Sequence, residues 1–213
     1  MKGYILLLFL VFFSCEKQEK TENSKITEKP LSTQKPDKAK PDFLETTDWF
    51  QYYQEKNPAF SPEKFTLRDT APITYGETSV KILNEKGFNQ IYAPFFIFNE
   101  SKDQYLDIDS YHWILGPDGY ASFEADQQIV LVNVKKKEAK QIAFYGPSFR
   151  IEDAVWKGDS VAVLLGNSYE KVPFKVEFNF PKNQVKSYQY SDTLKFEKPF
   201  ADIRLEKKGI KIN

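Results

Sequence analysis

The sequence predicts an all-β domain, an antiparallel meander or two-layer β-sandwich, preceded by one short helix. Three observations carry this. Phe174, Val176, Phe178 and Phe180 alternate with Lys175, Glu177 and Asn179, the period-two pattern of a strand with one buried face. Val161, Val163 and Leu165 interleave with Ala162 and Leu164, and Ile129 to Val134 is mostly apolar too, so both runs should be buried on both faces. Turn chemistry separates such runs at Gly116-Pro117-Asp118-Gly119, Lys157-Gly158-Asp159 and Pro181-Lys182-Asn183.

In chain order, the single folded domain should span 43–213, starting near Phe43. Thr46 and Thr47 can cap a short helix from Asp48 to about Lys56, with Asp48 favourable in its first turn. Trp49, Phe50 and Tyr53 fall near one another on that helix and belong in the core. Asn57-Pro58 stops it, and Ser61-Pro62-Glu63 can start one more turn with Pro in first position. No other long helix is expected. Ile203-Arg204-Leu205, Lys207-Lys208-Gly209 and Ile210-Lys211-Ile212 read as a closing hairpin.

An internal repeat is also suggested. NVKKKEAKQIAFY at Asn133 and NFPKNQVKSYQYS at Asn179 are offset by 46 residues, while Asp109–Trp113 faces Asp153–Trp156 at a slightly shorter offset. Units of about 45 residues resemble the blades of a β-propeller, each a four-stranded antiparallel sheet. There is no WD or kelch signature, and the length from Phe43 allows fewer than four units. Two blade-like units within a meander or sandwich are expected, rather than a closed propeller.

The N-terminus reads MKGYILLLFLVFFSC. Lys2 is followed by ten apolar residues, Tyr4 to Phe13, a run too short to span a bilayer as a helix and suited to the core of a signal peptide. Ser14 and Cys15 follow, and Cys15 is the only cysteine in the chain. This arrangement resembles the lipobox of bacterial lipoproteins, with Phe12 where that family usually has Leu. The resemblance implies a signal peptide over 1–14, a diacylglycerol on Cys15, and an outer-membrane lipoprotein of the cell envelope, facing either the periplasm or the cell surface. Residues 16–42 hold seven Lys, six acidic residues and three Pro, with no aromatics. Such a stretch buries too little surface to offset its ordering entropy, so 15–42 is expected to be a lipidated, disordered tether, reaching roughly 30 Å on average.

Charge narrows the partners. Lys plus Arg number 30 against 30 acidic residues, and the tether's charges alternate in sign, so a nucleic-acid partner, which requires a basic patch, is excluded. With no cysteine pair, an exported domain must be stabilised by burial, and 19 Phe, 12 Tyr and 3 Trp can supply it. The partners that remain are the membrane, through the lipid on Cys15, and a glycan, a peptide or another envelope protein.

Few residues point to chemistry. His112, the only histidine, could be a base or a ligand, but it stands in the apolar run Tyr111, Trp113, Ile114 and Leu115. No nucleophile elbow occurs, and one His with no free Cys leaves too few ligands for zinc. Glu100, Asp103, Asp107 and Asp109 cluster, and Asp107 and Asp109 should point to one sheet face. They could serve calcium or, as a carboxylate pair, a glycan hydrolase. The EF-hand spacing is missing, so no metal or other cofactor is predicted. Asp109 and Asp153, at matching repeat positions, suggest a shared structural job, and Trp113 and Trp156 are core residues unless both prove exposed. The candidate ligand-binding set is therefore Asp107, Asp109, His112, Trp113, Asp153 and Trp156. The leading expectation is a lipid-anchored binding or interaction module without catalytic activity. The alternatives are a glycan hydrolase and an accessory subunit docking by a sheet edge.

Overall fold

In the computed structural model, which describes residues 42–212, the alternating run at Phe174 is the central strand of a five-stranded antiparallel sheet. The expected signal peptide, Cys15 and the expected tether up to residue 41 lie outside the described residues. The sheet has the order β1 (Phe65–Ala71), β11 (Gln184–Tyr190), β10 (Pro173–Asn179), β9 (Val161–Ser168) and β8 (Phe149–Lys157). A four-stranded antiparallel sheet has the order β2 (Ile97–Phe98), β3 (Gln104–Asp107), β6 (Gln127–Asn133) and β7 (Glu138–Tyr145). The hairpin of β4 (Trp113–Leu115) and β5 (Ala121–Phe123) is inserted between β3 and β6.

The two sheets form a sandwich. Leu164, Val176 and Phe178 of one meet Leu106, Ile129 and Ile142 of the other in a shared core. Both doubly apolar runs also bury their second face. Val163 and Leu165 of β9 lie under Trp49 and Phe50 of α1 (Asp48–Lys56), and Val130 and Val132 of β6 lie under Tyr92 and Phe95. Burying a side chain of this size contributes roughly 1.5–3 kcal/mol, so these two strands tie four layers together. Thr47 caps α1 as its sequence implies, its Oγ1 accepting from the Phe50 amide at 3.2 Å.

The C-terminal end corrects the expectation of a closing hairpin. Residues Phe200–Glu206 form a second helix, α2, after Pro199. Phe200, Ala201 and Leu205 are its buried positions, a helical spacing that three alternating residues at Ile203-Arg204-Leu205 do not outweigh. Gly209 takes φ +86°, the Ile210 amide bonds the Leu205 carbonyl at 3.2 Å, and the Gly209 amide bonds that of Glu206 at 2.9 Å. This is the double closure of a Schellman end, and Leu205 and Ile210 share one apolar cluster, as that motif requires.

The repeat holds only in part. The β6–β7 and β10–β11 turns are alike: Asn133 Oδ1 accepts from the Lys136 amide at 2.9 Å and Asn179 Oδ1 from the Lys182 amide at 3.1 Å. Lys137 and Asn183 then take positive φ at the same offset. The upstream match fails, because Asp109 lies in the turn after β3 whereas Asp153 and Trp156 lie inside β8. Strands β8 to β11 run as a meander, with β1 added beside β11, but no ring of blades closes.

One irregularity in β8 sets up the region around Asp153. Ile151 pairs Gly166 and Asp153 pairs Leu165, so Glu152 is the extra residue of a bulge. The bulge breaks the alternation, and both Glu152 and Asp153 turn toward α1 and α2 while Ile151 and Ala154 stay in the inter-sheet core. The position opposite the bulge must be glycine: a Cβ on Gly166 would lie 2.2 Å from the Arg150 carbonyl and 2.9 Å from Phe174. Gly166→Ala should therefore cost about 3 kcal/mol in urea unfolding. An unchanged midpoint would show that β8 does not press on this site.

Candidate functional site

The bulge delivers Glu152 to a buried polar network. Its carboxylate accepts from Trp49 Nε1 at 2.7 Å, the Tyr53 hydroxyl at 2.8 Å and Asn167 Nδ2 at 2.9 Å. Burial raises its pKa against the pull of these three donors. The Glu152 carbonyl accepts from Arg204 Nε at 3.0 Å, and the two Nη atoms of Arg204 hold Asp109 at 2.9 and 2.8 Å. Asp109 also accepts from Trp113 Nε1 at 2.9 Å. Burial works against the charge on Arg204, but Asp109, Asp153 and Glu152 outweigh it and hold its pKa above the ordinary value.

This geometry divides the sequence-predicted residues. Asp109 is fully engaged by Arg204 and Trp113. Asp107 closes the turn after β3, its Oδ1 accepting from the amides of Asp109 at 3.0 Å and Ser110 at 2.9 Å. Burial pushes its carboxyl up to about 6. His112 is buried against Phe123, with Nδ1 3.1 Å from the Asp126 carbonyl, and burial lowers its pKa. Trp113 is fully buried beneath Tyr92 and Phe95, and is core. Among the described residues no three His, Cys, Asp or Glu side chains come together as a metal site.

Asp153 and Trp156 do share a concavity. With Arg204, Asp48 and Glu100 they line an open cleft of about 640 Å³ between the start of α1, β8 and α2. Trp156 is anchored there by its Nε1 bond to the Ile97 carbonyl at 2.8 Å, so its ring braces β8 against β2. Burial pushes Asp153 up to about 6, with Arg204 opposing and the nearby Asp48 adding to the rise.

A second concavity, about 470 Å³, opens between β7 and the β10, β11 and β1 side of the larger sheet. Phe144 and Phe149 line it and are 49% and 47% exposed, large for rings of this size. Phe149 stands edge-on to Phe174 at 5.5 Å, and Tyr145 leans on the same ring at 5.8 Å. Ser187, Gln189 and Arg68 add polar groups. Sequence reasoning missed this groove. Its only local signal is a pair of phenylalanines flanking the turn residues Gly146-Pro147-Ser148, and nothing in that pattern says that both stay exposed.

No protein-family model matches this chain, and neither does any curated protein or solved structure.

The raised pKa of Asp153 has a measurable sign. An acid whose pKa is higher in the folded than in the unfolded state destabilises the fold when ionised, so its penalty is relieved as pH falls through about 6. Relative to wild type, Asp153→Asn should gain stability as pH rises from about 5 to about 7.5, by on the order of 1–3 kcal/mol. Thermal unfolding of both proteins at the two pH values checks this, and a gap that does not change with pH would contradict it.

Proposed function

We propose that this chain is a non-catalytic binding module, held at a bacterial cell envelope by a lipid on Cys15, which takes its ligand in the aromatic groove. The observation that carries this is the pair of half-exposed rings, Phe144 and Phe149, set in a concavity with Ser187, Gln189 and Arg68. Scattered exposed apolar residues need no explanation, but rings gathered in a groove with a few polar groups are what ligand sites are built from. The carboxylates that a reaction would need are spent on structure at Asp107 and Asp109. Phe144 touches Tyr111 edge-on at 6.1 Å and otherwise supports little core, so it can be removed without unfolding the protein. Phe144→Ala should weaken binding of a soluble oligosaccharide or peptide ligand about tenfold in calorimetric titration, with the melting temperature unchanged. Equal affinity in the variant would rule the groove out. The anchor has a separate test: Cys15→Ser should move the protein from the membrane fraction to the soluble fraction, and unchanged fractionation would remove the lipid from the proposal.

One observation favours the rival reading of a glycan hydrolase. Asp153 faces the larger cleft, with a pKa near 6 that suits a general acid, and Asp48 and Glu100 line the same cleft as partners. On this reading wild type releases reducing ends from polysaccharide and Asp153→Asn does not. No release by wild type leaves the binding module.

A further inference from the structure

A smaller pocket of about 240 Å³ adjoins the aromatic groove, sharing Phe149 and Ser168 with it. Asn167 and Arg150, cross-strand partners on β9 and β8, both line it. Asn167 is only 5% exposed, and its Nδ2 is committed to Glu152 at 2.9 Å. That bond fixes the amide the other way round, so that Oδ1 is left as an acceptor with no hydrogen-bond partner in the protein. Arg150 Nε is likewise a buried donor without a partner. A buried polar atom normally finds a partner, so an acceptor and a donor left open on two cross-strand neighbours that line one pocket mark a place for a ligand carrying both.

The charged groups around the pocket are partly engaged within the protein. Arg150 Nη2 lies 2.9 Å from Asp202 as an ion pair without hydrogen-bond geometry, its guanidinium lies over the Phe123 ring at 4.8 Å, and Lys171 Nζ donates to the Phe196 carbonyl at 2.9 Å. The Glu152 carboxylate is filled by its three donors. An anion could satisfy the open Arg150 donor but not the open Asn167 acceptor, and a cation the reverse, whereas neutral hydroxyls can both donate and accept. Tyr169, 84% exposed, and Phe149 supply rings on which an apolar sugar face can rest.

We propose that this pocket is a subsite for one ring of a neutral oligosaccharide, with one hydroxyl donating to Asn167 Oδ1, a second accepting from Arg150 Nε, and Tyr169 stacking on the ring. It rests on the reading of the chain as a binding module and extends the groove ligand around the end of β8 and β9. Asn167→Ala would strip Glu152 of a donor and destabilise the fold, so the test uses Tyr169→Ala and Arg150→Lys, the second keeping the charge that pairs Asp202. Full-length protein is titrated calorimetrically with cellohexaose, maltohexaose and chitohexaose, with melting temperatures measured alongside. At least one hexasaccharide should bind, and each variant should weaken it about tenfold with the melting temperature preserved. If Phe144→Ala weakens binding while Tyr169→Ala and Arg150→Lys do not, the subsite is overturned and the groove stands. If only peptides bind, the sugar assignment is overturned. If neither class binds, both proposals fall.

Discussion

The hydrogen-bonded chain Trp49–Glu152–Arg204–Asp109–Trp113 is the constraint on which the rest of the structure depends. Each link joins a different layer: α1 to β8, β8 to α2, α2 to the turn after β3, and that turn to the core of the inserted hairpin. Glu152 and Arg204 are charges carried into the interior, a placement that is tolerable only when every oxygen and N–H finds a partner. Here they nearly all do. Removing Arg204 would strand the buried Asp109 carboxylate, and removing the Glu152 carboxylate would leave the donors of Trp49, Tyr53 and Asn167 without their acceptor, which is why such networks fix one arrangement of layers even where their net contribution to stability is small.

The same constraint decides where ligands can go. With Asp109 held by Arg204 and Asp107 holding a turn, the carboxylates that stand out in the sequence are structural. Concave surface is left on either side of the network: the acidic cleft at Asp153, and the aromatic groove with its smaller neighbour at Asn167. Asn167 links the two themes. It completes the shell of Glu152 with one end of its amide and presents the other to the pocket.

Much of the sandwich is legible in the sequence because periodicity reports burial directly. The alternating β10, the doubly apolar β9 and β6, the capped helix at Thr47 and the Gly-bearing turns all form where their patterns place them. The misses have physical causes. Helix α2 hides because its apolar positions also satisfy a short alternation, although Gly209 between Leu205 and Ile210 carries the mark of a helix end. Asp153 is misread as the counterpart of Asp109 because local spacing does not separate the turn after β3 from the interior of β8, where a bulge at Glu152, invisible to a period of two, sets which way Asp153 faces. Glu152, Arg204 and Asn167 show no local signal, since their meaning comes from partners up to 103 residues away. The groove is hidden for the same reason: exposure of Phe144 and Phe149 depends on how far one sheet overlaps the other.

The most direct test of the account is to map ligand contacts residue by residue. Amide chemical shifts of isotopically labelled protein, followed during titration with a neutral hexasaccharide that binds, should move at Phe144–Arg150 and Asn167–Lys171. Residues of the acidic cleft, Asp48, Glu100 and Asp153, should stay in place. Shifts confined to that cleft, with Phe144, Phe149 and Asn167 unmoved, would contradict the central claim that the aromatic end of the sandwich is where this protein binds.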